Sequence, residues 1–305
     1  MTGALSDGAA EAPVAQDANY PLGVAMVLVA GVCLSFGGLI LRHVESADIW
    51  LMVFYRSVAF AGTLLVFLAV VYRGRLVRPF LVVGREGVVV ALALGAGSIC
   101  YLVAIDLTTV ANVVFILGAG PLLTALLGRL VLGERVRPVT WIAMAAALCG
   151  IALMVAEGLG NGRLAGNVVA FGAAMAFAVM VVAIRRAKAV DMVPASCLGG
   201  LVGAAASATM VGNFGISGHD LGLALLLGSA QLGAGFLLIT LGARRVPAAE
   251  VPLLALTEVV LAPIWVWLWV SEVPGRLTLL GGAVVLAAVL GQAIIRLRRG
   301  RRLGG

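Results

Sequence analysis

The sequence predicts an all-α polytopic membrane protein: ten transmembrane helices arranged as two inverted five-helix repeats. Three observations lead there. Hydrophobic residues make up 62% of the chain and charged residues 11%, whereas a soluble domain is roughly 25% charged. Apolar runs of about 20 residues, the length that crosses a bilayer, recur from end to end. Basic residues also segregate between alternate loops. Of 21 Lys and Arg, only Arg42, Arg163 and Arg276 fall on one side, and Arg56 lies within a span. The positive-inside rule then places both termini in the cytoplasm.

The predicted spans cover residues 21–42, 50–72, 86–106, 109–132, 138–156, 166–184, 193–213, 221–242, 247–271 and 277–295. Residues 1–20 hold Asp7, Glu11 and Asp17 but no Lys or Arg, the reverse of a signal peptide. They are expected to form a disordered cytoplasmic tail. Residues 21–156 form the first repeat, 163–296 the second, and 297–305 a basic cytoplasmic tail. The links between spans are short, so the bundle should be compact.

The repeat is visible in the residues. A shift of 138 lays Leu94-Gly95-Ala96-Gly97 on Leu232-Gly233-Ala234-Gly235 and pairs Ala111 with Ala249, Val113 with Val251 and Glu134 with Glu272. Earlier in the chain a shift of 143 pairs Gly23 with Gly166, Arg42 with Arg185 and Asp48 with Asp191. Five spans per half is an odd number, so the halves enter the membrane in opposite directions, the architecture that supports alternating access. The matched glycines, and Gly199 with Gly203, let helices approach closely, whether for packing alone or as a hinge surface.

Several function classes are excluded. The net charge of +7 is spread over loops and the C-terminus, where it sets topology, so no nucleic-acid partner is expected. Cys33, Cys100, Cys149 and Cys197 lie in apolar runs at unrelated spacings, against a disulfide framework or a zinc site. There is no HExxH and no GxxxxGK, and His43 and His219 both fall in loops. No enzyme activity, cofactor or metal is expected.

The ninth span carries the strongest site signal. Glu258 lies about 11 residues, roughly 17 Å, into it, between Pro252 and Pro263. A carboxylate at that depth is expensive and faces a cavity by default. Each proline frees a backbone carbonyl. Glu258 would bind a substrate amine or exchange a proton, or else fix packing around Pro263. It corresponds to Gly120 in the first half, and Arg56 corresponds to Gly199 in the second, so both charges break the internal symmetry. Arg56 would meet a substrate carboxylate, pair with an acid, or snorkel to the interface.

Softer candidates follow by spacing. Ser98 and Tyr101 are i, i+3 neighbours on the third span, Gln231 sits among the glycines of the eighth, and Thr257 precedes Glu258. Asn112 and Glu250 occupy equivalent span starts at opposite faces, as caps or gates. Trp265, Trp267 and Trp269 suit an interfacial belt or substrate stacking. Glu134 and Glu272 read as loop-forming residues.

The stretches Gly118-Ala-Gly-Pro121 through Leu132-Gly133-Glu134, and Pro247-Ala-Ala-Glu250 through Thr257-Glu258, Pro263, Trp267 and Ser271-Glu272, resemble the drug/metabolite transporter superfamily in its EamA-type members. Within it the chain looks most like YddG-type bacterial amino acid exporters. That resemblance implies an inner-membrane secondary transporter with a central cavity enclosed by the third, fourth, eighth and ninth helices, the fifth and tenth being peripheral. Small metabolites, most of all amino acids including aromatic and apolar ones, would be exported by alternating access. Glu258, Arg56, Tyr101, Ser98, Gln231 and Thr257 would bind substrate or couple it to protons. Pro121, Pro252, Pro263, Asn112 and Glu250 would form breaks and gates. A monomer in the lipid bilayer is expected. A transporter of another metabolite or organic-cation class, or a passive channel, is the alternative. The chain departs from equal halves in one respect: Val259 stands where the first half has Pro121, so the second kink is expected near Pro263.

Overall fold

The structure is a computed structural model, and it describes residues 19–41, 43–108, 110–155, 164–270 and 275–303. The predicted tail over residues 1–18, and Arg42, Arg163, Ser271 and Glu272, lie outside the described residues. Among those described, the regular structure is all helical, in ten apolar passes. Among the described residues, seven helices are long and apolar enough to cross a membrane. The fifth, seventh and tenth passes contain shorter apolar stretches, Pro138–Met154, Val193–Ala208 and Leu279–Ile295.

The first helix runs Tyr20–Ser35 and Gly37–Leu41, the second Ile49–Val71, the third Gly84–Leu107, and the fourth Val110–Gly118 and Gly120–Leu132. The fifth spans Pro138–Val155, the sixth Leu164–Arg186 and the seventh Val193–Ala208. The eighth combines Gly218–Leu226, a wide π-turn over Leu227–Gly233, and Ala234–Ala243. The ninth runs Glu250–Ala255 and Thr257–Val270, and the tenth Arg276–Leu303. Two boundaries differ from expectation. The seventh helix stops at Ala208 rather than near 213, because Gly212, Asn213 and Gly215 favour other conformations. The tenth continues through the expected basic tail, whose Arg and Leu residues are good helix formers and whose positive charge suits a helix C-terminus.

Local chemistry sets several ends. Asp48 caps the second helix by accepting from the Trp50 amide, and Ser217 caps the eighth by accepting from the Asp220 amide. The fourth ends on Gly133, at φ 67°, with the Gly133 and Glu134 amides both turned back to the Gly128 carbonyl.

The two halves pack with matching partners. The third helix lies on the sixth and seventh, and its counterpart, the eighth, lies on the first and second. The second packs on the seventh and the fifth on the tenth, each helix on its own counterpart. The LGAG repeat has the same meaning in both places. A Cβ on Gly95 would meet Val202 of the seventh helix at 2.6 Å, and one on Gly233 would meet Thr63 of the second at 2.9 Å. Gly97 likewise faces Ala176 of the sixth helix, as Gly235 faces Leu34 of the first.

Counterpart helices run antiparallel. Gly200 lies against Phe60 and Ala61, whereas Gly203, further along the seventh helix, meets Ser57, earlier on the second. Gly150, late in the fifth helix, faces the Gly281 carbonyl early in the tenth. The start of the ninth helix lies beside the end of the fourth, with Gly128 against Ala248. The halves are therefore inverted copies.

The odd-numbered helices begin at the end of the bundle rich in Lys and Arg, here called the basic face. There Glu134 accepts from Arg185 Nε at 2.9 Å and from the Ala248 amide at 3.1 Å, and Arg185 Nη1 donates to the Arg244 carbonyl. At the far face Asp220, fully buried, accepts from the amides of Glu45, Ser46 and Ala47 and from the Ser46 hydroxyl. Each clasp ties loops from both halves together.

Candidate functional site

Both counterpart helices, the fourth and the ninth, are broken near mid-length, and the breaks align within a residue under the 138-residue shift. In the fourth, Pro121 has no N–H to give the Leu117 carbonyl. The chain tightens through Ala119, whose amide donates to Ile116 at 3.1 Å while its carbonyl accepts from Leu122 at 3.0 Å. In the ninth the break falls at Leu256, not at Pro263, through which the helix runs on without interruption. Tertiary packing accounts for the place. Gly31 of the first helix sits against the junction, where a Cβ would lie 3.1 Å from Thr257 Cβ and 3.4 Å from the Glu258 amide nitrogen. The Thr257 hydroxyl donates to the Leu254 carbonyl at 2.8 Å, and Leu256 and Val259 make i→i−3 bonds on either side. Pro252 lies buried in the segment before the break.

Glu258 therefore stands in the first turn of a half-helix rather than midway along a continuous one. The positive end of a helix favours an acid there. Its counterpart Gly120 also opens a half-helix, with no side chain, and a Cβ on it would meet nothing within 4 Å. The two breaks are alike in backbone and differ in charge.

Tyr101 relates this acid to candidate residues on the second and third helices. Arg56, 8% exposed, reaches from the second helix to the third, where Nη2 donates to Ser98 Oγ at 2.8 Å. Its Nε is buried without a hydrogen-bond partner among the described residues. Tyr101, one turn beyond Ser98, lies within electrostatic range of both Arg56 and Glu258. Arg56 and Glu258 form no ion pair, and Glu258 makes no hydrogen bond to another described residue. One phenol thus lies within range of both charges, and each charge has capacity unused.

The other candidates are tied into the scaffold. Gln231, inside the π-turn, donates through Nε2 to the Leu34 carbonyl at 2.8 Å, holding the end of the first helix. Asn112 donates to Thr108 Oγ1, which donates to Asn167 Oδ1, linking the fourth helix to the third and sixth. Glu250, 2% exposed, accepts from the Tyr20 hydroxyl at 2.8 Å. Trp265 departs from a simple belt. Its Nε1 donates to Ser35 Oγ at 2.7 Å and its ring stacks on Phe36, with centroids 4.7 Å apart. Trp267 and Trp269 are exposed, as lipid-facing rings would be.

Two pairings escaped the sequence. Asp220 gave no sign of gripping a loop so distant in the chain, and Glu134 is a cross-repeat clasp as well as a helix-end residue. For Glu134 the signal was available: it and Arg185 both belong to the repeat-matched pairs.

Comparison with known proteins agrees with this architecture. None of the curated proteins matches the sequence. One solved crystal structure of a protein superposes with a TM-score of 0.74 at 20% identity, covering 90% of this chain and 99% of that one, which establishes a shared fold. The model of the EamA-like transporter family matches twice, over residues 21–156 and 164–293. With most of its length matched, and with inverted halves meeting at paired helix breaks, this multi-pass membrane protein belongs to the EamA-like transporter family.

Proposed function

We propose that the chain is a secondary transporter that exports amino acids, including aromatic and apolar ones, across a bacterial inner membrane by alternating access. The basic face would be cytoplasmic, with both termini there. The observation that carries this reading is the separated charge pair: Arg56 with an unpartnered Nε, Glu258 without a partner among the described residues, and Tyr101 within electrostatic range of both. A zwitterion has the complementary ends, a carboxylate for the guanidinium and an ammonium for the acid. Trp265, two turns after Glu258 on the same face of its half-helix, stacks with Phe36 and supports an aromatic or apolar substrate body. Inverted halves supply the motion, one set of helices rocking against the other.

Flux of labelled amino acids into proteoliposomes, wild type against Glu258→Gln and Arg56→Ala, tests the proposal. Both variants are expected to lose most of the saturable flux while remaining monodisperse. Unchanged flux in both would remove these residues from the mechanism. Flux that never saturates and shows no counterflow would mark a channel instead.

A further inference from the structure

We infer that the basic face carries a second binding site, for the phosphate-bearing headgroup of an anionic lipid, where the fourth helix hands over to the fifth. A cleft of about 250 Å³ opens there, lined by Arg129, Arg135, Val136 and Trp141. Arg129 lies in the last turn of the fourth helix and Trp141 in the first turn of the fifth. Guanidinium forks match phosphate oxygens in geometry as well as charge. Glu134, the acid between the two arginines in sequence, is turned away onto Arg185 and the Ala248 amide and does not line the cleft. The N-terminus of the fifth helix adds its own positive end beside the cleft.

The surroundings favour a lipid over a soluble phosphate. Trp141 is 43% exposed at a helix start, the level where amphipathic rings sit in headgroups. On either side the surface is apolar and bare, with Leu130 72% and Ile142 70% exposed. A ligand with its anion on the arginines would lay acyl chains along these residues. Basic recesses between transmembrane helices bind anionic headgroups in this manner.

Native mass spectrometry of the detergent-purified full chain tests the site, with phosphatidylglycerol, phosphatidylcholine of the same acyl length, and inorganic phosphate as competitor. Phosphatidylglycerol adducts are expected to exceed phosphatidylcholine adducts. Arg129→Gln should lower them about fivefold, and Arg135→Gln by a similar further step. Arg75→Gln, at an exposed arginine of the same face outside the cleft, should leave them unchanged, and Arg129→Lys should retain most of the binding. Equal adducts with both lipids, or undiminished phosphatidylglycerol binding in a monodisperse Arg129→Gln/Arg135→Gln variant, would overturn the site. Displacement of the lipid by inorganic phosphate would assign the cleft to a soluble anion and overturn the lipid.

Discussion

Arg56 and Ser98 are joined across the second and third helices by a 2.8 Å hydrogen bond, while the Nε of the same guanidinium is buried with nothing to donate to. A buried donor left unmatched costs about 1–3 kcal/mol. The scaffold tolerates that cost at the residue where the internal symmetry is broken, which supports the proposal that Arg56 is held ready for a ligand.

Ser98→Ala removes the anchor without removing the charge. The guanidinium then loses its preferred direction, and substrate affinity in the flux assay should fall about tenfold, equivalent to about 1.4 kcal/mol, with maximal flux less affected. Arg56→Lys retains charge but not the fork and should be impaired more than Ser98→Ala. Equal behaviour of wild type and Ser98→Ala would show that the bond has no part in binding.

The Glu134–Arg185 pair is 26% and 14% exposed at its two side chains, so solvent weakens it without abolishing it. Glu134→Gln should loosen the basic face by about 1 kcal/mol, a value discounted for that exposure. Labelling of a cysteine placed at Ala248 should become faster in the variant, as the loop before the ninth helix opens more often. An unchanged labelling rate would mean the clasp does not hold this face.

Asp220 grips the link between the first and second helices by three amides and a hydroxyl. Asp220→Ala leaves those amides unmatched, so hydrogen exchange over residues 44–48 should accelerate strongly while exchange in the tenth helix stays as it was. Asp220→Asn, which keeps one acceptor oxygen, should fall between the two. Uniform acceleration along the chain would indicate global loosening instead.

The fifth and tenth helices touch backbone to backbone at Gly150, where a Cβ would stand 2.7 Å from the Gly281 carbonyl. Gly150→Ala should therefore destabilise the detergent-solubilised protein by about 1–3 kcal/mol in thermal unfolding. Gly291→Ala is the control, because nothing lies within 4 Å of a Cβ there. It should be neutral or slightly stabilising, as alanine is the better helix former. Equal loss in both variants would refute the packing account.

Much of the architecture was legible because membrane helices must satisfy their own backbone and bury themselves in lipid, which leaves long apolar runs and few other options. The LGAG match was informative because close approach at both copies demands the same small residues. The position of the second break was not legible. Proline suggested Pro263, yet the turn lies at Leu256, set by Gly31 from the far end of the sequence and by the Thr257 hydroxyl. Gln231 shows the same limit: its place among the glycines of the eighth span made it a candidate, but the partner it holds is the Leu34 carbonyl, which no local pattern announces. Arg56, Ser98 and Tyr101 were legible as polar residues inside apolar spans, whereas the bond from Arg56 to Ser98 was not.

The wide turn at Leu227–Gly233 divides the loyalties of the eighth helix. Gly228 and Gly233 lie on the second helix, whereas Gly235 and Gly242 lie on the first. A π-turn holds one residue more than an ordinary turn and can give it up by closing, whereas losing an amino acid from the regular turns of Ala234–Ala243 would swing everything downstream by about 100° and draw it back by about 1.5 Å. Such a deletion would leave both ends of the rod apolar and helical, and still present the wrong side to its neighbour.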